Sequence, residues 1–68
     1  MNRNLQSIEF RVKSSLTRVG CVDLIVTDFG DGDVEIAGHV DSYNDRVLAI
    51  TVTRALPGVR RITDSMRH

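Results

Sequence analysis

From Asp33 to Val40 the chain alternates with a period of two. Val34, Ile36, Gly38 and Val40 fall on one side; Asp33, Glu35, Ala37 and His39 fall on the other. An extended strand sends successive side chains to opposite faces, so this stretch predicts a strand buried on one side and wetted on the other. Gly30-Asp31-Gly32 lies just before it, and that run suits the positive φ angles of a tight hairpin. The preceding segment, VDLIVTDF, has strand composition. Leu24 and Val26 share one of its faces, Ile25 and Thr27 the other. A hairpin with one apolar face must have that face covered.

Two flanking segments can supply the cover. Leu5, Ile8, Val12, Leu16 and Val19 recur at helical spacing and form one stripe, with Asn2 or Asn4 as the expected cap and Gly20 as the stop. Phe10 sits far from that stripe, among Arg3, Ser7, Lys13, Ser14 and Arg18. After the hairpin, Ser42 followed by Asp45 resembles a capping box and opens a second helix. Its expected core line is Asp45, Ala49, Val52 and Leu56, flanked by Leu48 and Thr53. The β-branched run Ile50-Thr51-Val52 weakens intrinsic helicity, but the cap and the Pro57-Gly58 stop favour helix. VRRITDSM then reads as a short strand with Val59, Ile62 and Met66 inward. The expected fold class is α+β, ordered α-β-β-α-β, with two helices packed on one face of a mixed three-stranded sheet. The helical crossover makes the last two strands parallel. Residues 1–68 form a single domain, since this length leaves no room for a second core.

Composition excludes several classes. One cysteine, Cys21, permits no internal disulfide, and no base stands beside it in sequence to activate it. No apolar run is long enough to cross a membrane. The N-terminus lacks the features of a signal peptide. The expected location is therefore the cytoplasm as written, or the envelope if the chain is a processed or excised piece. Net charge is zero, yet its distribution is basic, acidic, basic: residues 21–45 hold seven acids and neither Lys nor Arg. A zero balance argues against general nucleic-acid binding, while segregation permits local recognition.

Thr27–Gly38 contains Asp-Phe-Gly, as kinases do, and closely spaced aspartates, as calcium loops do. Neither pattern holds. An EF-hand numbered from Asp28 has glycine at its third and fifth positions; numbered from Asp31, it has Ile36 and Ser42 where glycine and glutamate are required. No other kinase motif is present. A solvated turn is expected, with no metal and no cofactor. His39 and His68 with Cys21 do not make a zinc set. The same element order occurs in KH-like domains, but their G-x-x-G clamp is missing, as is an aromatic stacking platform.

DLIVTDFGDGDVEIAGHVDS followed by RVLAITVTRALPGVRRITDSM resembles a BON domain, the bacterial osmotic-stress and nodulation module. Val34, Ile36, Gly38 and Val40 match its V-x-L-x-G-x-V run. Leu56, Pro57, Gly58 and Val59 match its helix exit, and Ile62 and Met66 its last strand. Ala49 matches a small residue facing the sheet. The hairpin turn is longer and more acidic than the family pattern. The resemblance implies binding to phospholipid surfaces or to other proteins rather than catalysis. The matched positions are fold residues, so no functional site comes with them.

Two surfaces are then candidates. On the first helix, Phe10 would insert among anionic lipids while Arg3, Lys13 and Arg18 meet phosphates. On the second, Val47, Ile50 and Arg54 sit away from the expected core line and suit contact with another protein or weak association of two copies. In both cases the plainer alternative is a solvated surface.

Overall fold

A computed structural model of the chain describes residues 7–68. The elements run α1 (Ile8–Arg18), β1 (Leu24–Gly30), β2 (Asp33–His39), α2 (Tyr43–Arg54) and β3 (Arg61–Arg67). Strand order is β1-β2-β3. β1 and β2 are antiparallel, and β2 and β3 are parallel across the α2 crossover. This is the expected α+β arrangement.

The hairpin closes through Asp31 (φ 55°) and Gly32 (φ 84°), after a register shift between Asp28 and Gly30. Asp28 Oδ1 accepts from the Gly30 amide at 2.8 Å, which stabilises the bend before the turn. α1 is capped by Ser7, whose Oγ accepts from the Phe10 amide at 3.0 Å. The cap expected at Asn2 or Asn4 is thus corrected to Ser7; those asparagines and Leu5 lie outside the described residues. The helix leaves through paired Schellman bonds, Cys21 N–H to the Leu16 carbonyl and Gly20 N–H to the Thr17 carbonyl. At α2 the Ser42 Oγ accepts from the Asp45 amide at 3.1 Å, as the sequence pattern required.

One face of the sheet presents Leu24, Val26, Val34, Ile36 and Met66, all buried. Val12 and Leu16 of α1 and Ala49 of α2 form the core cluster with Leu24, Val26, Ile36 and Met66, and Cys21 and Val40 belong to it as well. The other face carries Ile25, Thr27, Glu35, Ala37, Thr63 and Ser65, with Ile25 66% exposed. There Glu35 Oε2 accepts from Ser65 Oγ at 2.7 Å.

α2 is rotated from its expected orientation. Ala49 and Thr53 are fully buried, Ile50 packs against the core, and Leu48 is 38% exposed. The Arg46 flank of α2 meets β3. Arg46 Nη2 donates to the Met66 carbonyl, and Arg46 Nε lies 3.5 Å from Asp64 Oδ2. The latter contact gives charge attraction without a hydrogen bond. Asp64 shares the covered face with Ile62 and Met66, so Arg46 links α2 to the outer strand.

Thr53 is fully buried, and among the described residues its Oγ1 has no hydrogen-bond partner. An unpaired buried hydroxyl costs about 1–3 kcal/mol. Valine has nearly the same shape and a similar helix propensity. Thr53→Val is therefore expected to stabilise the domain by about 1 kcal/mol, raising the melting temperature by roughly 4–8 °C. A lower melting temperature would mean that the hydroxyl has a partner after all.

Candidate functional site

Phe10 projects from α1 with 53% of its surface exposed, and the core closes without it. Lys13, Ser14 and Thr17 follow at helical spacing on the same outer side, with Arg18 beyond and Glu9 beside it in the first turn. Arg3 lies outside the described residues. Arg18 is exposed. Lys13 is partly committed to the fold. The Asp23 carbonyl accepts from the His39 amide at 3.2 Å and so points toward β2. The Leu24 carbonyl points the opposite way, off the free edge of the sheet. Lys13 Nζ donates to that carbonyl. Its charge remains on the α1 face, but its head is drawn toward the β1 edge. Arg11, on the side facing the end of α2, donates to the Pro57 carbonyl at 3.1 Å.

The far edge of the sheet is blunted in the same manner. The Met66 amide donates to Asp64 Oδ1 at 3.0 Å, and Arg46 holds the Met66 carbonyl. Charged side chains at both edges oppose sheet-to-sheet pairing of whole molecules.

On α2, Val47 is 43% exposed and Arg54 is exposed. Ile50 is a correction to the sequence reading, since it is half-buried and its inner side packs on the core. The residue that sequence reasoning missed is Tyr43, 62% exposed. Tyr43, Val47, Ile50 and Arg54 follow one another at spacings of four, three and four, so they fall in a single stripe within about 60° of arc. That spacing was the available signal.

Several polar groups elsewhere are engaged within the fold. Asp28 bonds the turn, and Asp33 Oδ1 lies 3.7 Å from Arg61 Nε. His39 Nε2 lies 3.5 Å from Asp41 at an exposed corner. Cys21 is buried; burial first, then the Asp45 charge, pushes its thiol above the ordinary cysteine pKa, which keeps it protonated at neutral pH. The hollow beside it, lined by Cys21, Asp23, His39, Asp41 and Asp45 among others, holds about 50 Å³. Ligand pockets are roughly 300–1,000 Å³; the hollow between Asp31, Asp33, Arg60 and Arg61, about 320 Å³, reaches that size but is lined by charged side chains alone. Among the described residues no group of three or more His, Cys, Asp or Glu is placed to hold a metal ion, and no helix is long and apolar enough to cross a membrane. No protein-family model matches the chain, and no curated protein matches its sequence.

Proposed function

We propose that the chain is a non-enzymatic binding module of the BON kind that attaches to anionic phospholipid surfaces through the outer side of α1. The observation that carries this reading is Phe10, a large apolar side chain half open to water on a helix that also presents Lys13 and Arg18. The BON kinship is supported by the α-β-β-α-β order and by the burial of Val34, Ile36 and Val40 along the matched run. The non-enzymatic reading is supported by the burial of the Cys21 thiol and by the engagement of Asp28, Asp33, Glu35 and Asp64 in the turn and sheet.

Magnitudes make the attachment weak. Each basic residue near an anionic surface contributes about 1 kcal/mol, and Glu9 offsets part of that. Full burial of a Phe side chain contributes about 1.5–3 kcal/mol, of which insertion of an already half-covered ring recovers a part. The electrostatic share fades with salt. The chain is expected to sediment with phosphatidylglycerol-rich vesicles at low salt, less at high salt, and not with neutral vesicles. Phe10→Ala and Arg18→Glu should each reduce the bound fraction severalfold. Arg18 is the better probe than Lys13, because a Lys13 variant would also free the Leu24 carbonyl. Undiminished sedimentation of Arg18→Glu, or no sedimentation of the unaltered chain at low salt, would remove the lipid reading.

A second reading, contact with a protein, is favoured by the apolar stripe on α2.

A further inference from the structure

We infer that the Tyr43-Val47-Ile50-Arg54 stripe of α2 is a seam for a second copy of this chain, the two α2 helices lying antiparallel across a two-fold axis. This surface is separate from the α1 face proposed for lipid.

The stripe is complementary to itself in that orientation alone. Turn the helix end for end about the midpoint between Leu48 and Ala49. Tyr43 then meets Arg54 of the partner, and Val47 meets Ile50 of the partner. By symmetry the same contacts recur on the other half. Two apolar pairs occupy the centre, and a guanidinium faces a phenol ring at each end, a favourable cation–π arrangement. A parallel copy would instead set Arg54 against Arg54. In the antiparallel pair the two Arg54 groups stand about 16 Å apart along the axis. Antiparallel helices also bring the positive N-terminal end of one beside the negative C-terminal end of the other. The exposed portions are what such a seam needs: Tyr43 62%, Val47 43%, with Arg54 open and Ile50 half-buried. The sheet edges, by contrast, carry Lys13 on the Leu24 carbonyl and Asp64 and Arg46 on the Met66 amide and carbonyl, which disfavours edge pairing there. Association is thereby directed to the helix.

The seam is short. Two apolar pairs with two flanking contacts bury well under the roughly 800 Å² per partner of a standard interface. The dimer is accordingly weak and forms only at high concentration.

Sedimentation equilibrium of the full chain across a wide concentration range tests this. The average mass should rise toward that of a dimer as concentration increases. Val47→Glu places a charge opposite Ile50 and should hold the chain monomeric throughout, with an unchanged circular dichroism spectrum because the site is exposed. The register has its own test. Tyr43→Lys alone sets lysine against Arg54, and Arg54→Glu alone loses both cation–π contacts. Each should weaken the dimer by about tenfold, the factor that corresponds to two exposed cation–π contacts. Mixed together, the two variants should associate more tightly than either alone. One end of the mixed pair then sets the introduced lysine against the introduced glutamate, and the other keeps the native Arg54–Tyr43 contact. A chain that stays monomeric at every concentration overturns the proposal. So does a dimer indifferent to Val47→Glu, or a mixture no tighter than its components.

Discussion

Gly38→Ala is expected to cost more than about 2 kcal/mol, a large part of what a domain this small has in hand. Two effects combine. Gly38 sits at φ +117°, a conformation that side-chain-bearing residues rarely adopt. A Cβ there would also lie 2.5 Å from the Asp23 carbonyl oxygen and 3.2 Å from the Leu24 Cα. Both obstacles are backbone at the start of β1, not the mobile end of a side chain. The Asp23 carbonyl cannot withdraw freely, because it accepts from the His39 amide and so helps to anchor β1 on β2. Gly20 supplies the control. It too has a positive φ, +93°, but a Cβ there meets nothing within 4 Å. Gly20→Ala should therefore show only the conformational cost, on the order of 1 kcal/mol. Chemical denaturation of both variants separates strain from collision. Equal losses would mean that β1 does not pass over Gly38 as closely as described.

The parts of the fold that could be read from the sequence are those whose signals are local. The two-residue period of β2 needs only its own side chains to be seen, and so does the Ser42 cap of α2. Gly30-Asp31-Gly32 announces its turn in the same way. Strand order was not legible, because it depends on where α2 delivers β3. The start of α1 offered three cap-competent residues, Asn2, Asn4 and Ser7. All three side chains can accept from a backbone amide, so propensity alone does not choose among them. The rotation of α2 was hidden for a different reason. Ile50-Thr51-Val52 supplies apolar or β-branched groups on several sides of the helix, and two core lines fit almost equally well. The observed line buries Ala49 and Thr53 and brings Arg46 to Asp64 and Met66, residues well removed in sequence.

The same distinction governs the candidate surfaces. Phe10 and Arg18 point outward as helical geometry alone requires. Lys13 could not be read fully, because its head goes to a carbonyl on a strand edge that exists only once the sheet has formed. Tyr43 was legible in principle: it begins a stripe whose spacing is plain in the sequence. The BON-like run carries information about the fold for a physical reason: Val34, Ile36 and Val40 are buried, and Gly38 lies beneath β1. Such positions report packing and say little about what the outside of the helices touches.

Ile36→Ala is expected to be the most damaging of the simple truncations on the sheet, at about 2–5 kcal/mol. Ile36 is fully buried at the middle of the central strand, paired with Val26 on one side and Asp64 on the other. Its side chain lies under both helices' contribution to the core, so the space it leaves has walls on every side. Removing three carbons loses their transfer energy, and the cavity adds to the loss because strands held by a ladder cannot collapse inward. At about 0.05–0.15 kcal/mol per residue, a domain of this length has roughly 3–10 kcal/mol in total, so a substantial unfolded fraction should appear at room temperature. Ile36→Val should cost only about 0.5–1.5 kcal/mol. The sharpest comparison is Ile25→Ala, one strand away but on the opposite face and 66% exposed. Surface changes of that kind stay within about 0.5 kcal/mol. If denaturant melts show Ile25→Ala losing as much as Ile36→Ala, the helices do not cover the face assigned to them, or the supposedly open face is covered by something else. In the first case both proposed surfaces would have to be redrawn, because each depends on which sides of α1 and α2 are left for water.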